Sequence, residues 1–252
     1  MPLVTLLTPT RNKPHYLWEA YLSLRQQTMG QWEWWVVGNQ PTPETLEVLC
    51  RLAGLRGVLV AVDNDSPPDC HVPADLVNRW NPRVQTPYLM FLADDDLLDP
   101  LALETLVGAL ETHPDWDLVH GKCEVWTEVD PKDYPKTLTS EWQTYIQHGN
   151  RLWISTSWVG GWEDLGLGTS LLPDCIIDGG QFLQTKRAWD RATADGWTLP
   201  TDLARGSHND GLYMNRLAEF YTFHFLNQKV LTHRKTSLSS HGKPDWAIGG
   251  QR

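Results

Sequence analysis

The sequence is poor in cysteine, in long apolar runs and in basic residues, and each shortage excludes a class of protein. Its four cysteines among 252 residues show no CxxC or metal-like spacing, so neither a disulfide scaffold nor a zinc module is indicated. No stretch reaches the roughly 20 apolar residues of a membrane span. Lys and Arg number 21 against 31 Asp and Glu, and the net charge of −10 argues against a nucleic-acid-binding surface.

These shortages predict a cytoplasmic protein with free thiols, no nucleic-acid partner and no transmembrane segment, while a peripheral membrane contact stays open. The start, "MPLVTLLTPTRN", lacks a charged segment followed by a long apolar run, so it predicts a first strand rather than a signal peptide. The acidic balance does not exclude a phosphate-bearing ligand, because a bound divalent metal can supply positive charge locally.

Strand-like and helix-like segments alternate along the first half of the chain. Short apolar runs rich in β-formers predict strands, and apolar residues at helical spacing predict helices between them. The predicted strands are 3–8, 32–38, 57–62, 88–93 and 117–126, and the predicted helices are 16–27, 43–54 and 100–113. This order is typical of α/β proteins in which a mostly parallel central sheet carries helices on both faces.

Ligands of such sheets lie beyond the carboxyl ends of the strands. Three polar segments follow predicted strands directly, namely "TPTRN" (8–12), "GNQPT" (38–42) and "DDD" (94–96). We therefore expect the three segments to line one crevice. This convergence is the main structural prediction of the sequence.

Residues 127–177 interrupt the alternation with a long connection that contains glycines and tryptophans. Connections of this length are usually functional or mobile. Trp153, Trp158 and Trp162 would form either a lid that presents aromatic faces to a sugar or a cover for the edge of the sheet. A second structured part follows from residue 176, with a helix predicted over 210–221.

The acid run Asp94, Asp95 and Asp96 raises an electrostatic question, since adjacent carboxylates repel one another. Asp99 and Pro100 suffice to begin the next helix, so the three acids are not needed as a cap. A solvated turn is one interpretation. A carboxylate cluster at the end of a strand also suits a hard divalent cation that bridges substrate phosphates, and this second interpretation is favoured.

Several segments together resemble the GT-A fold glycosyltransferases, in particular glycosyltransferase family 2. "TPTRN" (8–12) matches the family's "PTxN", "LRQQTMGQWEWWVV" (24–37) its helix ending in a "QT" step, and "YLMFLADDDLLDP" (88–100) its metal-binding segment. "HNDGLYMNRLAE" (208–219) resembles the place where the family carries an acidic pair at the head of a helix. The resemblance covers residues 3–125 well and 175–242 loosely, and it implies the GT-A fold.

The resemblance also implies a donor site. The residues expected to contact a nucleotide-sugar donor are Thr8, Pro9, Thr10, Asn12, Asn39, Asn78, Asp94 and Asp95. Two departures weaken the assignment of the nucleotide. Ala93 replaces the first aspartate of the family's metal-binding segment, and "GNQP" (38–41) replaces the usual "DDGS" after the second strand.

The resemblance further implies a metal and a catalytic base. Asp95 and Asp96 would hold Mn²⁺ or Mg²⁺, and His241 or His233 from the C-terminal segment would supply a further ligand. Asp210 aligns with the family's base, although it would alternatively cap its helix.

Two other segments are expected near the substrates. Residues 178–180, "DGG", lie where similar enzymes contact the acceptor, and the two glycines would allow close approach of a ligand. Arg234 and Lys235 would contact phosphate oxygens, or they would simply be solvated.

The implied activity is metal-dependent, inverting transfer of a sugar from a nucleotide-diphosphate sugar, with UDP as the expected nucleotide. The acceptor would be a hydroxyl of a glycan, a lipid-linked molecule or a small molecule. Residues 1–125 would form the donor and metal part, and 126–252 the acceptor part with a flexible loop and tail, in one continuous domain. A retaining GT-A transferase stays open as an alternative, as does an inactive nucleotide- or glycan-binding protein.

Overall fold

Strands and helices alternate in the first half of the computed structural model, as the sequence predicts. The structure describes residues 1–67, 70–128, 144–148, 151–159, 177–201 and 209–236. Its first ten elements are β1 Val4–Thr10, α1 Pro14–Arg25, β2 Trp32–Gly38, α2 Pro43–Leu52, β3 Val58–Val62, α3 Val72–Trp80, β4 Tyr88–Phe91, β5 Leu97–Leu98, α4 Ala102–Thr112 and β6 Leu118–Glu128. The second half adds β7 Thr144–His148, β8 Arg151–Val159, β9 Phe182–Thr185, α5 Lys186–Thr193, α6 Asn209–Ala218 and β10 Phe223–Lys235.

All of these strands join one sheet. The strands β3, β2, β1 and β4 lie side by side and run parallel, so their carboxyl ends share one edge. Beyond β4 the order continues with β9, β6, β10 and β5, where β9 is antiparallel to its neighbours and β10 is parallel to β6. The β7–β8 hairpin pairs with β6.

Helices cover both faces of the sheet because alternate residues of each strand point to opposite faces. On β1, Leu6 belongs to a buried cluster that includes Leu17 of α1 and further side chains of α2 and α4. Leu7 belongs to a second cluster, which includes Met214 of α6 and further side chains of α3 and α5. The predicted α/β fold, a mostly parallel sheet with helices on both faces, is confirmed.

The helix after the acid run begins at Ala102, two residues later than predicted. The Asp99 carboxylate accepts a hydrogen bond from the Leu101 N–H at 3.2 Å, and the Asp99 carbonyl accepts one from the Ala102 N–H at 2.9 Å. Asp99 therefore closes a turn over Pro100 and Leu101 instead of capping a helix at Pro100. The polar residue was identified correctly, but the first helical turn was placed too early.

Two elements were not predicted. The helix α3 has Pro73 in its first turn and buries Ala74, Leu76 and Val77. Its sequence, "VPADLVNRW", is too short to show a clear apolar period, which is why it was missed. The segment predicted as one long connection contains the β7–β8 hairpin, which lengthens the sheet beyond β6.

Tryptophans of the interrupted region lie in the core wherever the structure describes their side chains. Trp153 is fully buried, and it forms a cluster with Trp126, Tyr16 and Leu97. Trp153 therefore covers the sheet, and the alternative that it belongs to a sugar-binding lid is wrong. Trp162 and the side chain of Trp158 lie outside the described residues.

Within the described residues, no helix is long and apolar enough to cross a bilayer. Cys50 and Cys123 are free thiols, in agreement with the prediction made for them, and Cys175 lies outside the described ranges. The cytoplasmic location stays a prediction.

Gly121 of β6 offers a test of the packing between β6 and β10. The register of β10 shifts twice between Phe225 and Leu231, and a Cβ at Gly121 would lie 2.5 Å from Cγ1 of Val230 and 2.6 Å from the Gln228 carbonyl. Gly121→Ala should lower the free energy of unfolding by about 1–3 kcal/mol, because backbone cannot move aside as a side-chain tip can. Urea denaturation measures the change.

Gly108→Ala is the matched control. A Cβ at Gly108 meets nothing within 4 Å, and alanine is the better helix former. This variant should therefore gain about 0.5–1 kcal/mol in free energy of unfolding. Equal effects of the two variants would contradict the close contact at Gly121.

Candidate active site

The three polar segments at the carboxyl ends of β1, β2 and β4 meet at one edge of the sheet. The Asn39 N–H donates to the carbonyl of Thr10 at 3.0 Å, and the Thr42 N–H donates to the carbonyl of Arg11 at 3.0 Å. The Thr10 hydroxyl donates to the Asp94 carboxylate at 2.8 Å. These contacts join "TPTRN" to each of the other two segments, so the three segments meet as predicted.

The first two acids of the run share one lysine. Lys13 Nζ lies 3.3 Å from a carboxylate oxygen of Asp94 and 2.9 Å from one of Asp95. Burial opposes the charge of this ammonium, but the two carboxylates outweigh it and raise the pKa of Lys13 above its ordinary value. The repulsion within the acid run is therefore offset partly by a side chain from the start of α1.

The third acid, Asp96, is fully buried against β10. One of its oxygens accepts the backbone N–H of Arg234 at 2.9 Å, and its carboxylate lies 3.2 Å from Nδ1 of His233. Asp96 thus faces a different cation from its two neighbours. The acid run divides into a pair that faces α1 and a single carboxylate that faces β10.

Asp178 approaches the same histidine from another direction. One Asp178 oxygen accepts the Gly180 N–H at 2.9 Å and caps a single helical turn, while the other oxygen lies 3.4 Å from Nδ1 of His233. A Cβ at Gly180 would be 3.4 Å from the Phe91 carbonyl and 3.3 Å from the Leu231 side chain. The glycine therefore lets this turn lie close to β4 and β10. The "DGG" segment, predicted to contact the acceptor, thus brings a carboxylate to Asp96 and His233.

Asp96, Asp178 and His233 form a group that could hold a metal ion. One ligand atom from each lies within 4.8 Å of the others. Burial opposes the charge on His233, but the nearby carboxylates of Asp96 and Asp178 outweigh it and raise its pKa to about 10. Without a metal the imidazole is therefore protonated at neutral pH, and a metal that binds its nitrogen has to displace that proton.

The Arg234 side chain is fully buried and points away from this group. Its guanidinium donates to the Glu19 carboxylate of α1 and to the Asp95 carbonyl, and its carbon lies 5.0 Å from the ring centre of Tyr16. The predicted contact between Arg234 and phosphate oxygens is wrong, because this side chain joins α1 to the acid run inside the protein.

Three of the predicted donor residues have side chains that hydrogen-bond to other groups of the protein. The Thr8 hydroxyl donates to the Leu92 carbonyl at 2.6 Å and accepts from the Trp34 indole at 2.8 Å. The Asn39 amide donates to the Asp63 carbonyl at 2.7 Å. The Asn78 amide pairs with both backbone groups of Leu199, at 2.9 and 2.8 Å.

Thr8 is thus fully buried, and Asn78 is joined to the segment before residue 201. Pro9, within β1, and Asn12, two residues after its end, are partly exposed. Of the predicted donor residues, all except Asn78 belong to the joined segments. A donor role for any of these residues stays a prediction.

Asp210 is the second residue of α6, and the structure does not describe its side chain. The helix begins at Asn209, so the alternative that Asp210 caps it is not supported. His241 lies outside the described residues, and its predicted metal contact stays a prediction. The other candidate histidine, His233, is the one that the described residues place beside Asp96.

The contact of Lys13 with the acid run and the place of Asp178 in the candidate metal group were not predicted from the sequence. Lys13 follows the "TPTRN" segment directly and precedes Pro14 at the start of α1, so its place at the crevice was readable from the sequence. Asp63, at the end of β3, was also missed. Its carboxylate pairs with Arg79 and accepts the Trp80 indole N–H at 2.8 Å, which braces α3 beside Asn39.

Comparison with known families decides the relationship that the motifs suggest. The model of the family described as Glycosyl transferase family 2 matches residues 5–159, more than half of the chain. The chain belongs to glycosyl transferase family 2. Protein CgeD of Bacillus subtilis (strain 168) is 27% identical over 125 residues, which cover 48% of this chain and 29% of CgeD.

Solved glycosyltransferase structures have a fold similar to that of this chain. The S. aureus TarS fragment 1–349 in complex with UDP-GlcNAc superposes with a TM-score of 0.67 at 15% identity, covering 96% of this chain and 61% of that one. The mannosyltransferase PcManGT from Pyrobaculum calidifontis, in complex with GDP-Man and Mn²⁺, gives 0.59 at 15% identity, covering 98% and 60%. This chain spans about three fifths of these structures. At this identity the likeness establishes the GT-A fold alone.

The ion pair between Arg234 and Glu19 yields a prediction for this family 2 chain. Arg234→Met should lower the free energy of unfolding by about 2–3 kcal/mol, because it leaves the Asp95 carbonyl and the partly exposed Glu19 carboxylate without this charged donor. Adding Glu19→Gln should recover part of that loss. Thermal and urea unfolding of both variants measure the coupling.

Lys186→Met is the control, since Lys186 also pairs with an acid, Asp190, whose side chain is 58% exposed. Its loss should stay below about 1 kcal/mol. A loss at Arg234 no larger than at Lys186 would show that the buried arginine does not hold α1 to the acid run.

Proposed function

We propose that this chain is a metal-dependent, inverting glycosyltransferase that moves a sugar from a nucleotide-diphosphate sugar, with UDP as the first nucleotide to test, to a hydroxyl acceptor. The observation that carries the proposal is the group Asp96, Asp178 and His233 beside the joined segments at the carboxyl edge of the sheet. The complexes of similar structures with UDP-GlcNAc, and with GDP-Man and Mn²⁺, support a nucleotide-sugar donor.

The donor set of the group fits a divalent cation. Two carboxylates and one imidazole are ligands that Mn²⁺ accepts, and Mg²⁺ would rely more on the carboxylates and on water. One Asp178 oxygen is engaged with the Gly180 N–H, so the other oxygen is the one directed at His233 and at a cation. When bound, the metal would stabilise the negative charge that develops on the leaving nucleoside diphosphate.

The chain's own residues would bind and orient the donor. Thr10 and Asn39 would lie beside the nucleoside, and Asp95, which the sequence suggests as a metal ligand, precedes Asp96 on the same segment and contacts Lys13. Residues 1–125 are also proposed to bind the donor, and residues 126–252 to bind the acceptor. The acceptor is proposed to be a glycan, lipid-linked or small-molecule hydroxyl.

Asp210 is proposed as the general base. An ordinary aspartate, with a pKa of about 3.9, is a weak base, and it suffices when bond breaking precedes attack and acidifies the acceptor hydroxyl. Helix α6 packs through Tyr213, Met214 and Leu217 into the core, which gives its first turn a fixed support.

A non-catalytic nucleotide-binding protein is the second candidate, and Ala93 favours it because a family aspartate is missing there. A panel of nucleotide sugars with Mn²⁺ or EDTA separates the two. Release of nucleoside diphosphate with Mn²⁺ supports transfer, whereas binding of UDP without turnover of any UDP-sugar, with any acceptor, supports the second candidate. The anomer of the first product, followed by NMR, distinguishes inversion from retention.

Asp178→Asn tests the metal group while keeping an oxygen that can cap Gly180. Mn²⁺ affinity should fall at least about tenfold, by analogy with the cost of perturbing metal-site residues, and Mn²⁺-dependent binding of UDP should weaken with it. Calorimetric titration measures both. Asp117→Asn removes the same charge directly before Leu118, the first residue of β6, and should leave the Mn²⁺ isotherm unchanged. An equal loss of Mn²⁺ affinity in this variant would contradict the assignment.

Asp210→Asn tests the base. The variant should bind the donor as the wild type does, while transfer falls by about 10²–10⁴-fold, since the amide cannot accept the acceptor's proton. Steady-state transfer and donor titration are compared with Asp190→Asn, a change at an exposed acid of α5. Full activity of Asp210→Asn would place the base elsewhere.

A further inference from the structure

The acid run contains more carboxylates than one metal site requires, and the structure shows which side chains the additional carboxylates contact. Asp94 and Asp95 both contact Lys13, at 3.3 and 2.9 Å, whereas Asp96 contacts His233. All three acids are nearly or fully buried, and the Lys13 side chain is only 13% exposed. Charges held this far from water need a fixed partner, because an unpaired buried carboxylate is costly.

Position makes Lys13 a fixed partner rather than a mobile surface lysine. It stands directly before Pro14, the first residue of α1, and its own carbonyl accepts the Leu17 N–H at 2.9 Å. The adjacent segment is attached to the same acid, since the Thr10 hydroxyl donates to Asp94. The ammonium is therefore held at the acid run by the start of a helix.

We propose that Lys13 is the built-in counter-ion of this site, which retains Asp94 and Asp95 in the protein and leaves a single cation position at Asp96. The inference rests on the proposed function for its metal and its donor. It assigns a role to a residue outside the family motif segments, and it selects Asp96 over Asp95 as the acid of the run that holds the metal.

Charge counting shows what the lysine contributes. With every carboxylate ionised, Asp94, Asp95, Asp96 and Asp178 would together carry four negative charges. Once His233 has given up its proton to a metal, Lys13 is the positive side chain of this group that remains. A divalent ion then leaves the group at −1 with Lys13, and at −2 without it. A diphosphate ligand, itself negative, would meet the stronger repulsion in the second case.

This balance gives Lys13→Met an unusual signature, because its two effects have opposite signs. Binding of Mn²⁺ should become about threefold to tenfold tighter, since a positive charge near the ion has been removed. Binding of UDP at saturating Mn²⁺ should become weaker by about the same factor. A variant that is merely damaged loses affinity for both ligands.

The experiment uses the full chain, with Mn²⁺ titrated first alone and followed by calorimetry and by the EPR signal of the free ion. UDP is then titrated at saturating Mn²⁺. Lys13→Arg, which keeps the charge, should behave as the wild type does. Arg11→Met removes the same charge from an exposed side chain two residues away, and it should leave both isotherms within about twofold.

A charge-balanced variant keeps the test decisive if Lys13→Met folds poorly. Lys13→Met combined with Asp94→Asn removes one charge of each sign, and its Mn²⁺ affinity should return to the wild-type value. Unchanged or weaker Mn²⁺ binding by Lys13→Met would overturn the proposal, as would a double variant that binds Mn²⁺ more tightly than the wild type.

The proposed function and this inference fail in different ways. If no variant binds UDP, the donor proposal fails, and the Mn²⁺ isotherms still decide the role of Lys13. If neither the wild type nor any variant binds Mn²⁺, the single cation position does not exist, and the counter-ion proposal falls with it.

Discussion

The candidate site depends on one hydrogen bond between backbone and side chain, in which the N–H of Arg234 donates to the buried Asp96 carboxylate at 2.9 Å. This bond fixes the acid run against β10, the last of the described strands in chain order. It also brings the neighbouring His233 to the same carboxylate. Because a carboxylate without water needs donors, the strand and the acid stabilise each other. The Arg234 side chain then extends inward from this point and joins β10 to α1.

Three basic side chains reach the acid run from two elements, and each contacts a different part of it. Lys13, at the start of α1, faces Asp94 and Asp95; His233 of β10 faces Asp96; and the Arg234 guanidinium binds the Asp95 carbonyl. The repulsion that makes "DDD" conspicuous in the sequence is thereby divided among separate partners. Specific placement, rather than solvation, makes the cluster tolerable.

Local patterns were sufficient for much of the fold. Apolar runs and helical spacing predicted the strands before "TPTRN", "GNQPT" and "DDD", and the rules of parallel sheets then predicted that these segments meet. The start of α4 was two residues off, because the Asp99 carboxylate closes a turn whose geometry the sequence does not reveal. Helix α3 was missed because nine residues show too little of an apolar period.

The partners within the site were harder to predict, because they come from distant parts of the chain. Lys13 and Asp95 are separated by 82 residues, and His233 and Asp96 by 137. No periodicity links such positions. Asp178 was noticed for its two glycines, but the direction of its carboxylate follows from Gly180 lying against Phe91 and Leu231. Family resemblance identified the acids and could not say which cation each one faces.

The late position of β10 has a consequence for how the protein is made. A ribosome synthesises the donor-side segments and the acid run well before residue 233, and these segments can begin to fold as they emerge. Asp96 has no access to its backbone donor or to His233 until β10 has left the ribosomal tunnel. The metal-binding group is thus assembled only after β10 has been synthesised, and a nascent chain that stalls earlier carries the acid run without the strand that completes the site.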